Sequence, residues 1–210
     1  MNEPYKILLE GGEAECELKK SRFIAHVARA ESEEEATAFI NSIKKQFYDA
    51  RHNVYAYIIG KDADRVKYSD DGEPSQTAGL PIYTVLKESG VRNICVVVTR
   101  YFGGTLLGAG PLARMYVEAA KLGLEASKTA WMRFGVEASI KCDYANSEKI
   151  KRYLDKENIE ITGTYYTDKV ELIVRTGFEK YEDMSKNVIS ITSSQAEISK
   201  ISDSYFVDTK

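Results

Sequence analysis

A run of apolar, mostly β-branched residues is followed by a cluster of glycines and then by a helical pattern. The stretch reads ICVVVTRYFGGTLLGAGPLARMY, from Ile94 to Tyr116. An uninterrupted apolar run rich in valine is typical of a strand that is buried on both faces. Proline suits the first turn of a helix, because its φ is fixed and it has no N–H to leave unbonded. The stretch therefore predicts a buried strand, a glycine loop (residues 103–110) and a helix that starts near Pro111.

The glycine loop has two interpretations. Glycines permit positive φ and close approach of the backbone, so the loop would direct several N–H groups at a phosphate or carboxylate. Alternatively, Gly103, Gly104, Gly108 and Gly110 only form tight turns between packed elements. The loop lacks the Lys and the Ser or Thr of a P-loop, and its formal GxGxxA match starts too far from the strand for a Rossmann site. We expect no nucleotide cofactor.

Arg100 and Tyr101 end the predicted strand, and Phe102 follows them. A cation beside aromatic rings and backbone N–H groups can pair with phosphates and stack against bases. In the alternative interpretation the rings anchor the core and Arg100 faces solvent. The sequence is compatible with both.

An acidic loop (SDDGEP, residues 69–74) follows a predicted strand and has neither a helical nor a strand period. Asp70, Asp71 and Glu73 offer oxygen ligands for a hard cation such as Mg²⁺, although the EF-hand spacing is absent. In a purely structural turn, the aspartates would instead accept bonds from local N–H groups, and Gly72 would be left-handed. We predict no metal site, and we retain these carboxylates as candidate ligand-binding residues.

His26 and His52 supply the imidazoles of the chain, which titrate near neutral pH in their unperturbed state. His52 lies in DARHNVY, at the start of a predicted strand. No GxSxG elbow or cysteine-protease signature accompanies it. A structural or hydrogen-bonding role is favoured over catalysis, no catalytic residue is assigned, and nothing in the sequence requires an enzyme.

Composition and charge narrow the classes of function. A chain of 210 residues with 43% hydrophobic residues can form packed cores. The N-terminus lacks a signal-peptide pattern, no apolar run is long enough to cross a bilayer, and the three cysteines have no paired spacing. We therefore expect a cytoplasmic protein. With 29 basic and 32 acidic residues, nonspecific wrapping of DNA is disfavoured, and any contact with nucleic acid must use a local patch.

The periodic patterns predict two α+β domains, residues 1–130 and 131–210. The first contains a strand in CELKKSRFIAHVARA, a helix after the N-cap Ser32, a strand from His52, a helix that stops at Gly90 and the strand in VRNICVVVTR. The second restarts at Arg133 as strand, helix, two strands, helix and strand. That βαββαβ order is ferredoxin-like.

Three motifs together resemble the IMPACT/YigZ family: YDARHNVYAYIIG, SDDGEPSQTAGLPIYTVL and VVVTRYFGGTLLGAGPLARMY. The C-terminal part resembles the small domain of bacterial members. This resemblance implies that the first domain adopts the fold of the second domain of ribosomal protein S-five, and that the second is similar to the last domain of elongation factor G. It also implies RNA or the ribosome as a partner. The chain departs from the family pattern at Gln76, before Thr77, and at Pro111, where the family has glycine.

The leading hypothesis is a non-catalytic RNA- or ribosome-associated protein, with a role in translation regulation, that binds a phosphate-bearing ligand through the glycine loop. The alternative is a small-molecule enzyme or binder that uses the same loop together with the acidic loop. A third is a protein-interaction module that binds its partner through the C-terminal domain. The candidate ligand-binding residues are His52, Asp70, Asp71, Glu73, Thr77, Arg100, Tyr101, Gly103, Gly104, Gly108 and Gly110.

Overall fold

The computed structural model describes residues 2–208, and the chain forms two compact units. The first unit is Tyr5–Trp131, and the second comprises residues 132–208 together with residues 2–4. Each unit combines a β-sheet with α-helices, so the fold is mixed α+β. None of the helices within residues 2–208 is both long enough and apolar enough to span a membrane.

The first unit is built on a five-stranded antiparallel sheet in the order β2–β3–β7–β4–β5. The first unit also contains a short parallel pair, β1 with β6, which is not part of that five-stranded sheet. The strands are β1 Tyr5–Glu10, β2 Glu13–Leu18, β3 Ser21–Arg29, β4 His52–Ile59, β5 Arg65–Ser69, β6 Val91–Arg92 and β7 Ile94–Tyr101. The helices are α1 Glu33–Gln46, α2 Gly79–Ser89 and α3 Ala109–Glu125.

Helices cover both faces of this sheet. Successive side chains of the central strand β7 point to opposite faces, and most are apolar, so both faces must be buried. Cys95 and Val97 share a buried cluster with α1 residues, whereas Val96 and Val98 share one with residues of α2 and α3. Strand β7 is buried along nearly its whole length, as its apolar run predicts. The predicted cap is also present, since Glu35 N–H donates to Ser32 Oγ at 3.2 Å.

Two predicted strands are present, but residues with positive φ divide each of them into two. The segment CELKKSRFIAHVARA forms a hairpin whose turn residues Lys19 and Lys20 have φ of 48° and 65°. Two consecutive positive φ values define a tight turn, but its usual Asn-Gly signal is missing from the sequence. Asn93, with φ of 55°, separates β6 from β7.

The second unit has the βαββαβ order, and its antiparallel sheet runs β11–β8–β10–β9. This is the strand arrangement of ferredoxin-like folds. The elements are β8 Lys128–Cys142, α4 Tyr144–Lys156, β9 Glu160–Tyr166, β10 Val170–Gly177, α5 Tyr181–Ile191 and β11 Glu197–Val207, with a 3-10 turn Phe178–Lys180 before α5. Alternate residues of β10 pack under the two helices in a core of their own.

Candidate functional site

A cavity of about 380 Å³ lies in the first unit, where the start of β4 meets the end of β7. The two ends coincide because the strands are antiparallel and His52 is paired in register with Arg100. Three chain segments form the wall: the start of β4, the acidic loop, and the stretch from β7 through the glycine loop into α3. The lining residues are Arg51, His52, Gly72, Glu73, Pro74, Arg100, Phe102, Leu106, Leu107, Gly108, Ala109 and Leu112.

Glu73 is the centre of a buried hydrogen-bond network at this cavity. Its Oε1 accepts from Arg100 Nη1 at 2.6 Å and from the Tyr116 hydroxyl at 2.7 Å. The side chains of Glu73 and Arg100 are only 3% and 7% exposed. Burial, and then the negative charge of Glu73, hold the pKa of Tyr116 far above its ordinary value, so its hydroxyl keeps its proton and donates.

Arg100 is therefore neither solvent-facing nor an unpaired cation. Its guanidinium carbon lies 5.3 Å from the ring centroid of Phe23 and 5.9 Å from that of Phe102. Its Nε is buried without a hydrogen-bond partner in the described part of the chain. Because Glu73 neutralises Arg100, this pair shapes the cavity wall but contributes little net attraction for an anion.

Arg51 supplies the uncompensated positive charge instead. No carboxylate within residues 2–208 lies within salt-bridge distance of it, and its guanidinium lies 5.4 Å from the ring centroid of Phe102. Sequence reasoning missed Arg51, and its only signal is that it precedes His52. It also missed the role of Tyr116, whose helical position placed it in the core without showing that its hydroxyl meets Glu73.

His52 is held in one tautomer by the backbone. Its Nδ1 lies 2.8 Å from the carbonyl oxygen of Asp71, which can only accept, so Nδ1 carries the proton. The opposite nitrogen, Nε2, lies 3.7 Å from Glu73 Oε2, which is too far for a hydrogen bond. Two acceptor atoms thus stand side by side at the cavity wall.

The two aspartates of the acidic loop bond to internal donors. Asp70 Oδ1 accepts from the N–H groups of Ala78 and Gly79 at 3.0 and 2.8 Å, which caps the start of α2. Asp71 accepts from Lys44 Nζ at 2.6 Å and from the N–H of Asn53 at 2.7 Å. These contacts match the structural-turn interpretation, and no cluster of three metal-ligating side chains is found among the described residues.

The glycines of the glycine loop fall into two groups, because one is closely packed and others have open space around them. The N–H of Gly103 donates to Ser21 Oγ at 3.1 Å, and a Cβ at this position would lie 2.2 Å from the carbonyl carbon of Lys20. Gly104 and Gly108 have φ of 84° and 82° and open space around the missing Cβ. In the part of the chain that the structure describes, no acceptor is found for their N–H groups. Gly110 lies in the first turn of α3, where N–H groups have no intrahelical partner.

The structure brings only part of the candidate set to the cavity. His52, Glu73, Arg100 and Gly108 line it. Tyr101 donates instead to Asp49 Oδ1 at 2.9 Å. Asp70, Asp71, Thr77, Tyr101, Gly103, Gly104 and Gly110 lie outside the wall, and the Thr77 hydroxyl donates to the carbonyl oxygen of Pro74 at 2.6 Å.

The fold and the cavity define a class of two-unit α+β proteins that gather an imidazole, a carboxylate and arginines at the ends of two neighbouring strands of an antiparallel sheet. Residues 19–124 match the family described as Impact N-terminal domain, and residues 140–195 match a domain of unknown function (DUF1949). The chain belongs to the IMPACT family.

Relatives support this assignment over most of the chain. IMPACT family member YvyE of Bacillus subtilis is 40% identical over 187 residues, which is 89% of this chain and 83% of the relative. IMPACT family member YigZ of Escherichia coli is 36% identical over 171 residues, or 80% and 84% of the two chains. A crystal structure of a hypothetical protein superposes with a TM-score of 0.62 at 31% identity, over 96% of this chain and 99% of that chain.

Proposed function

We propose that the first unit binds RNA, free or within the ribosome, by holding a phosphate-bearing nucleotide in the cavity without turning it over. The observation that supports this proposal is the set of groups in the cavity wall that can bind an anion. It combines the uncompensated Arg51 with Gly108, whose N–H has no acceptor within residues 2–208. Backbone N–H groups at a helix start, together with a cation, favour a phosphate group.

The aromatic and apolar part of the wall suits a base. Phe102 is 38% exposed and Leu106 is 86% exposed, so both present apolar surface at the cavity. An exposed ring with an arginine over it provides a stacking surface for nucleobases. A cavity of about 380 Å³ is at the small end for ligand pockets, so it suits one nucleotide rather than a duplex.

The overall charge predicts how this binding depends on salt. The net charge is -3, so affinity cannot come from a broad positive surface. If Arg51 neutralises a single phosphate, the slope of log affinity against log salt should be shallow. Removing Arg51 should reduce that slope by about one.

Fluorescence anisotropy with labelled single-stranded RNA tests the proposal, at salt concentrations between about 50 and 200 mM. We expect measurable binding by the full chain, weakened in Arg51→Ala. Arg65→Ala is the matched control, because Arg65 is exposed on β5 and lies outside the cavity wall. Binding no stronger than that of an unrelated acidic protein, or equal losses in both variants, would contradict the proposal.

A second function is favoured by one observation, the His52 Nε2 and Glu73 Oε2 pair at 3.7 Å inside the cavity. An imidazole beside a carboxylate is suited to acid–base chemistry on a small phosphorylated molecule. Thermal-shift measurements with nucleotides and phosphorylated metabolites, with and without Mg²⁺, separate the two. If a phosphorylated metabolite raises the melting temperature and RNA does not bind, the result would favour the small-molecule enzyme or binder. The cytoplasmic location and a protein partner for the second unit stay predictions.

A further inference from the structure

The cavity wall contains two neighbouring acceptors that no described group satisfies. Both hydrogen bonds to Glu73 arrive at Oε1, from Arg100 and Tyr116, and Oε2 receives none from within residues 2–208. His52 Nε2 likewise has no hydrogen-bond partner within residues 2–208, and in the Nδ1-protonated tautomer that the Asp71 carbonyl selects it is an acceptor. Neither atom is among the buried polar atoms that are sealed from solvent. A ligand in the cavity can therefore reach both.

These acceptors exclude one orientation of a nucleotide. A phosphate placed against Glu73 Oε2 would set two negative charges close together. The phosphate must instead lie towards Arg51 and the N–H of Gly108, which also line the cavity. The group that faces Glu73 and His52 must be a neutral donor.

Hydroxyl groups are the neutral donors that a nucleotide sugar provides. A single hydroxyl has one proton and can satisfy only one acceptor. Two hydroxyls on adjacent carbons supply one proton each, which fits two acceptors that lie 3.7 Å apart. Ribose with free 2′ and 3′ hydroxyls has this pattern, whereas deoxyribose and an internal ribonucleotide do not.

We infer that Glu73 and His52 read the 2′,3′-diol of a 3′-terminal ribonucleotide whose 5′-phosphate lies at Arg51 and the glycine loop. This inference rests on the proposed nucleotide binding and adds its selectivity, for RNA over DNA and for an end over an internal position. A hydrogen bond to a charged acceptor changes affinity by about 10- to 100-fold. The loss of either hydroxyl should have an effect of that size.

The test compares four RNA oligonucleotides of one sequence in anisotropy titrations with the full chain. Their 3′ ends carry the free diol, a 2′-deoxy sugar or a 3′-phosphate, and the fourth has a single internal deoxy sugar. We expect the free diol and the internally substituted RNA to bind alike, and the other two to bind about 10- to 100-fold more weakly. Equal affinity for all four would overturn the inference while leaving RNA binding intact.

The variant His52→Asn addresses the imidazole. The asparagine amide can still donate to the Asp71 carbonyl but ends short of Glu73, so the diol preference should fall about 10-fold with the phosphate contact kept. His26→Gln is the matched control, because His26 packs under α1 against Phe47 and lies outside the cavity wall. Circular dichroism checks that each variant is folded. An unchanged diol preference in His52→Asn would overturn the assigned role.

Adenosine 5′-monophosphate and its 2′-deoxy counterpart, in thermal-shift measurements, separate this inference from the proposed function. If RNA does not bind but the ribonucleotide is preferred over the deoxyribonucleotide, the RNA partner is refuted and the diol site stands. If neither RNA nor either nucleotide binds, both proposals are refuted.

Discussion

The stability losses from replacing Glu73 and Arg100 singly should not add in the double variant, because either single change already leaves a buried charge without its partner. The side chains are 3% and 7% exposed, and Nη1 lies 2.6 Å from Oε1. Glu73→Gln leaves the guanidinium buried without a countercharge, which should lower the free energy of unfolding by about 3–5 kcal/mol. Arg100→Met leaves the buried carboxylate without its countercharge, and we expect a loss of similar size. The double variant removes both charges. We expect its loss to be smaller than the sum of the single losses by about 2–3 kcal/mol.

Urea unfolding followed by circular dichroism measures this coupling, with the four proteins of the cycle compared at one pH. The second unit contains a matched control, the Arg175–Glu137 pair, at 2.9 Å but with side chains 41% and 24% exposed. Solvent screens that pair, so Arg175→Met should cost about 0–1 kcal/mol. Single losses below about 1 kcal/mol at Glu73, or single losses that simply add, would refute the claim that burial controls this network.

Three further predictions concern stability. Ser32→Ala should lower the unfolding free energy by about 1 kcal/mol through loss of the α1 cap, as seen in urea midpoints; Ser32→Thr should be nearly neutral. Gly103→Ala should cost about 1–3 kcal/mol or more, because its Cβ meets backbone 2.2 Å away, whereas Gly104→Ala, with open space at φ of 84°, should cost about 1 kcal/mol. Equal losses would count against the close packing of Gly103. Burial raises the pKa of Cys95 to about 12, against about 8.5 in an unfolded chain. The native state then retains a proton that the unfolded state releases, so the contribution of Cys95 to stability should be constant below about pH 8.5 and fall above it, and Cys95→Ala should flatten the fall.

The helices and strands were predictable where a period and an end signal agree. Helix α1 has an apolar face, a Ser32 cap and acidic residues in its first turn, and these local features are sufficient to specify it. The hairpin at Lys19 and Lys20 was not predictable, because its positive φ values occur in residues that rarely adopt them. Lysine carries no local signal for such a turn, so the pairing of β2 with β3 must impose it.

The site was predictable only as a set of motifs. Glu73 meets Arg100 across 27 positions of sequence and Tyr116 across 43, and no local pattern indicates such partners. The charge of Arg100 suggested an anion contact, yet Glu73 neutralises it, and the anion contact that we propose therefore uses Arg51. Helical periodicity placed Tyr116 in the core, and the buried carboxylate that accepts from its hydroxyl comes from tertiary packing.

The acidic loop makes three different contacts within four consecutive residues. Asp70 caps helix α2, the Asp71 carbonyl holds the His52 ring, and Glu73 pairs with Arg100. The spacing of these contacts is fixed by the chain itself, so the loop has no tolerance for a change of length. One inserted residue would shift either the start of α2 or the ring of His52 away from its contact, whatever residue were chosen. A transplant of this site into another scaffold would therefore have to carry the loop whole, along with the two elements it joins.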